Sequence, residues 1–117
     1  MAQLAQLIDD VVVNKFDLDK TPLTIGRHAD NRVQIDDGAV SGRHAVVSIR
    51  KNPDFPEYQE IVLEDLGSTN GTRVNSEKIK GKVILNHGDV VKIGWNEFKL
   101  IDSKQKNLAS TVHMLQD

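Results

Sequence analysis

The chain has no cysteine in its 117 residues. That absence excludes a disulfide scaffold, a thiol nucleophile and a Cys-ligated zinc, and it suits a reducing compartment. A dominant charge is missing too: 15 basic residues stand against 17 acidic ones, for a net charge of −2. No overall field therefore favours nucleic acid or an anionic membrane. No apolar run approaches the ~20 residues that cross a bilayer. The opening MAQLAQLIDDVVV has no basic start and carries Asp9 and Asp10, which makes a poor secretory signal. A cytoplasmic, intracellular setting is expected, with no membrane partner.

Catalytic signatures are lacking as well. There is no G-x-S-x-G elbow. GSTNGT has three residues between its glycines and no lysine after them, so it is not a phosphate-binding P-loop. His28, His44, His87 and His113 show no metal-ligand spacing such as H-E-x-x-H. No metal, no cofactor and no enzyme activity is expected. A hydrolase would have to be assembled from Ser41, His44 and Asp65. Lys78, Lys80 and Lys82 alternate as a basic stripe on one sheet face, but without interleaved aromatics they read as a solvated face or edge protection, not a nucleic-acid site.

What is present is a period of two. Val12, Phe16 and Leu18 are expected on one side of a strand. Ala45, Val47 and Ile49 alternate with Val46, Ser48 and Arg50, and Ile61 and Leu63 with Glu60, Val62 and Glu64. Val91 and Ile93 flank Lys92, and Phe98 and Leu100 flank Lys99. Half-buried strands have this pattern. Turn residues recur at Asp37-Gly38, Asn52-Pro53, Asn70-Gly71, Asn86 to Asp89 and Gly94 to Asn96. Many short strands with regular turns predict an all-β antiparallel sandwich or barrel in one domain over residues 1–102. The tail 103–117 changes character: Leu108, Val112 and Leu115 share one helical stripe, the mark of a short docked helix or a frayed end.

Three polar segments hold more donors than packing requires. TIGRHADN places Gly26 and Arg27 at the end of one strand-like run. DDGAVSGRHA places Ser41, Gly42, Arg43 and His44 before another. LEDLGSTNGTRVN, residues 63–75, places Ser68, Thr69, Asn70 and Gly71 after a third. Taken alone, Asn70-Gly71 is a hairpin signal. Alternate loops of a sandwich emerge at one end, so the three segments can meet, although sequence separation does not establish it. If they meet, Arg27 offers a planar fork of donors suited to phosphate. Ser41 and Thr69 add hydroxyls, and Gly42 adds an unobstructed N–H. Asn70 has both a donor and an acceptor for a peptide backbone. That set binds a dianion on a peptide. The plainer readings are turn caps at Ser41 and Thr69, an Arg27 ion pair with Asp36 or Asp37, and an interior His44.

The ordered pattern Gly26-Arg27, Ser41-x-x-His44, then Leu63-x-Asp65-Leu66-x-Ser68-x-Asn70-Gly71-Thr72-x-Val74-Asn75 resembles the forkhead-associated (FHA) domain, and HGDVVKIG resembles its late strand pair. The resemblance implies a β-sandwich of two twisted sheets, roughly 11 short strands, whose end loops bind phosphothreonine in partner proteins modified by an upstream Ser/Thr kinase. It implies that Arg27, Ser41, Gly42 and Thr69 hold phosphate and that Asn70 holds the peptide backbone. His44 would brace the serine loop, with Gly26 and Gly71 shaping the backbone. Arg43 is either a specificity contact or a solvated surface arginine. Gly42 departs from the longer polar side chain frequent there, and Val74-Asn75-Ser76 departs from VNG. The alternative is a β-sandwich interaction domain that binds without phosphate. A phosphorylated Thr111 in the tail is a further candidate ligand for the site.

Overall fold

The computed structural model describes residues 2–102. Among them are eleven strands: β1 (Ala2–Ile8), β2 (Val11–Asp17), β3 (Leu23–Gly26), β4 (Val33–Gln34), β5 (Ala45–Lys51), β6 (Gln59–Asp65), β7 (Thr72–Val74), β8 (Glu77–Lys78), β9 (Lys82–Leu85), β10 (Val90–Ile93) and β11 (Asn96–Asp102). They form a six-stranded sheet ordered β2-β1-β11-β10-β7-β8 and a five-stranded sheet ordered β4-β3-β5-β6-β9. All ladders are antiparallel except the short parallel pairing of Ile25 with Val33 and Gly26 with Gln34. The tail 103–117, expected as a short docked helix or a frayed end, and Thr111 within it lie outside the described residues. No helix of the described residues is long and apolar enough to cross a membrane.

The period of two becomes the core. Leu4, Val91, Ile93, Phe98 and Leu100 from the first sheet meet Leu23, Ile25, Ala45, Val47, Ile61, Leu63 and Leu85 from the second. Burying each large side chain stabilises by about 1.5–3 kcal/mol. Alternation fails in β2. Gln6 faces Asn14 while Leu7 faces Val12, so Val13 is an extra, bulged residue. A bulge changes the parity of the face, so Val12 does not share a side with Phe16 and Leu18. Val11, Val12 and Val13 are all exposed on this edge strand, whereas Leu18 is buried.

Two further expectations are corrected. Asn70-Gly71 is not a hairpin turn, because β6 and β7 belong to different sheets and the segment crosses between them. The hairpin nearby turns at Asn75-Ser76, both at positive φ, between the paired Val74 and Glu77. The lysine stripe also dissolves: Lys78 lies in β8 and Lys82 in β9, strands of separate sheets. Antiparallel order then brings the end of β3, the start of β5, the end of β6 and the start of β7 to one end of the sandwich, where the three polar segments emerge.

Candidate functional site

The first two segments are joined through their backbones. The N–H of Arg27 donates to the Ser41 carbonyl at 3.0 Å, and the N–H of His28 to the Gly42 carbonyl at 3.2 Å. Gly26 permits this approach: a Cβ there would lie 2.2 Å from the Gly42 oxygen and 2.7 Å from Asn31 Nδ2. Its requirement is clearance, since it does not occupy the left-handed region. Asn31 adds a clamp that the sequence did not reveal. Buried, it donates from Nδ2 to the carbonyls of His28 (2.9 Å) and Gly42 (2.7 Å). An asparagine in a polar loop looks like any turn residue, so no signal marked it.

The second segment is tied to the third through His44, which is fully buried. Its Nδ1 accepts from the Ser41 N–H at 3.1 Å, which places the ring proton on Nε2, 2.9 Å from the Gly71 carbonyl it donates to. Ser41 Oγ accepts from the Thr69 N–H at 3.0 Å, and Asn70 Nδ2 donates to the Ala39 carbonyl at 2.9 Å. The turn itself is wound around Asp65. That carboxylate accepts from the Ser68 hydroxyl (2.5 Å), the Thr72 hydroxyl (2.8 Å) and the N–H groups of Gly67 and Ser68 (3.1 Å each). Burial raises its pKa, but the hydrogen bonds from Ser68, Thr72 and Gly67 outweigh it and hold the carboxyl below its ordinary value. Ser68 Oγ in turn accepts from the Gly71 N–H at 3.0 Å. Gly71 sits at φ +84°, a conformation that favours glycine.

Sequence positions scattered from 27 to 71 thus meet at one rim. Among the described residues, the Arg27 guanidinium and the Thr69 hydroxyl have no hydrogen-bond or ion-pair partner, and the Ser41 hydroxyl proton has no acceptor. Arg27 does not pair with Asp36 or Asp37. Asp37 instead accepts from the N–H of Ala39 at 2.9 Å and, at 3.4 Å, from the Trp95 N–H and Asn96 Nδ2. Arg43 pairs with Asp30 at 2.6 Å on the exposed surface. Ser41, His44 and Asp65 form no catalytic relay: the imidazole meets the serine backbone, not its hydroxyl, and Asp65 serves Ser68 and Thr72. The arrangement leaves uncommitted donors, one a permanent cation, at one end of the sandwich, the kind of donor set that an anion requires.

The FHA domain family model matches residues 23–94, and the chain belongs to that family. The oxoglutarate dehydrogenase inhibitor of Corynebacterium jeikeium is 40% identical over 88 residues, covering 75% of this chain and 54% of that protein. The chain spans about half the length of the curated relatives it matches. Mycobacterium tuberculosis EmbR, solved in complex with a low-affinity phosphopeptide, aligns with a TM-score of 0.71 at 31% identity, covering 86% of this chain and 24% of that one. A structure solved in an analysis of phosphothreonine-dependent FHA domain interactions aligns with a TM-score of 0.68 at 28% identity, covering 86% of this chain and 96% of that one.

Proposed function

We propose that this domain is a non-catalytic module that binds phosphothreonine-containing segments of partner proteins, downstream of a Ser/Thr kinase. The observation behind it is the convergence of Arg27, Ser41 and Thr69 with donors left uncommitted. Arg27 grips the phosphate, the Ser41 and Thr69 hydroxyls and the Gly42 N–H share it, and Asn70 holds the peptide main chain through the amide groups not spent on Ala39. Arg43, paired with Asp30, serves as a specificity contact only where an acidic ligand residue displaces that pair. His44, Gly26 and Gly71 support the site without touching ligand. The inhibitor name borne by a relative fits a domain that regulates by binding. No nucleic acid, membrane or cofactor enters this reading.

A charge-assisted hydrogen bond nets about 1.5–3 kcal/mol, and ordering a peptide costs several kcal/mol of the sum. A dissociation constant on the order of micromolar follows. The experiment is an oriented library of phosphothreonine peptides, with phosphoserine and unphosphorylated controls, titrated against wild type and Arg27→Ala. The variant should keep its fold and lose binding. Equal affinity for unphosphorylated peptides would instead establish a phosphate-independent interaction domain. Binding should also weaken below about pH 6, as the phosphate takes up its second proton. A phosphorylated Thr111 occupying the site in its own or a neighbouring molecule would lower affinity for added peptide, and light scattering would separate the two cases.

A further inference from the structure

One ring at the loop end is used neither by the fold nor by the reading above. His28 follows Arg27, and its backbone bond to Gly42 lays the imidazole across that glycine. A Cβ on Gly42 would fall 2.6 Å from Nε2, 2.7 Å from Cε1 and 3.0 Å from Cδ2 of the ring. The backbone beneath is held independently by the two hydrogen bonds of Asn31, so the ring is not needed to fasten it. The side chain is exposed, and neither ring nitrogen has a hydrogen-bond partner among the described residues. Asp30, the one carboxylate of residues 27–32, is already paired with Arg43. An imidazole thus stands against the Gly42 backbone, one residue on from the unpartnered Arg27, with no anion of its own among the described residues.

We propose that His28 is a phosphate ligand of this domain, its ring N–H completing the donor set of Arg27, Ser41, Gly42 and Thr69. The inference rests on the phosphothreonine reading, which does not itself require His28. The charged residues of the segment that carries the ring are Arg27, Asp30 and Arg32, Asp30 being paired with Arg43, and residues 66–71 contain none.

The probe is the pentapeptide Ala-Ala-phosphothreonine-Ala-Ala, titrated by NMR near pH 7. His28→Phe keeps an aromatic ring over Gly42 and removes both nitrogens, while His28→Ala removes the ring as well. Both variants should bind about tenfold more weakly than wild type. The wild-type His28 Cε1–H resonance should shift with this peptide and not with its unphosphorylated form. If His28→Phe binds like wild type while Arg27→Ala does not, the ring merely covers Gly42; the inference falls and the phosphothreonine reading stands. If wild type binds neither this peptide nor any phosphothreonine library member, both fall. Should either variant melt at a lower temperature, the wild-type resonance decides, and an unshifted signal overturns the inference.

Discussion

The two loops that flank β6 are built on opposite plans. Residues 52–58, at one end, bond mostly to themselves: Asn52 Oδ1 accepts from the N–H groups of Asp54 and Phe55, and the backbones of Asn52 and Tyr58 close the loop. Residues 66–71, at the other end, are fastened from outside, by His44, Ser41 and Ala39, partners roughly thirty residues away in sequence. A cleft of about 570 Å³ lies at the first end, lined by residues such as Leu18, Tyr58, Ile61 and Ile84. The uncommitted donors are at the second. That cleft and the uncommitted donors therefore lie at different ends of the molecule. A loop whose position is imposed by distant partners can hold donors in register for a ligand at little ordering cost on binding.

The sharpest way to break the contrast is His44→Ala. The imidazole is fully buried and serves a donor on one loop and an acceptor on another. Its removal strands both and leaves a cavity, at a cost of about 3–4 kcal/mol of stability, read by urea denaturation. Phosphopeptide binding should go with it. A loss below about 1 kcal/mol with binding retained would mean that residues 66–71 hold themselves in place, and the contrast would disappear.

Much of this was legible in the letters. Alternation at Ala45 and Val47 reports which face is dry, because strand side chains point to alternate sides whatever the neighbouring strand is, but in β6 Val62 is buried along with Ile61 and Leu63, so both faces are covered there. The rim residues Arg27, Ser41, Thr69 and Asn70 were found because their motifs are ordered along the chain. What stayed hidden depends on partners that no local pattern encodes. The bulge at Val13 is a property of β1 pairing with β2, and the turn at Asn70-Gly71 reads as a hairpin until β7 is seen to pair with β10 and not β6. Asn31 and Gly26 act through the carbonyl of Gly42, a long-range contact written nowhere in TIGRHADN. Asp65 stood in the motif, but its role as the hub of the turn needed coordinates.

Asp65 gives a smaller and pH-dependent effect. Its folded pKa lies below its ordinary value of 3.8, through hydrogen bonds that outweigh the opposing effect of burial. The native state therefore favours the ionised form. Its contribution is fully present above 3.8 and is lost as the pH falls through the lower folded value. Asp65→Asn should cost about 2 kcal/mol at neutral pH, the worth of a charge-assisted bond. The gap between variant and wild type should close in acid below that window. Denaturation curves across the range check both statements. A gap that is constant with pH would show that the carboxylate's charge does not hold the turn.

The smallest effect belongs to the self-contained loop. Phe55 and Tyr58 meet edge to face, with centroids 6.3 Å apart and planes at 67°. Such pairs contribute about 0.5–1.5 kcal/mol, but these rings are 56% and 45% exposed, so much of that surface stays wet in the folded state. Phe55→Ala should therefore cost about 0.5 kcal/mol. Its effect on phosphopeptide affinity should be nil, because among the described residues no hydrogen bond of residues 52–58 reaches the other loops; the farthest joins Asn52 to Glu60 of β6. Calorimetry on the same peptide for Phe55→Ala and wild type measures that independence directly. A changed affinity would require β6 to transmit a shift from one end to the other, and the two loops would then have to be treated as one coupled unit.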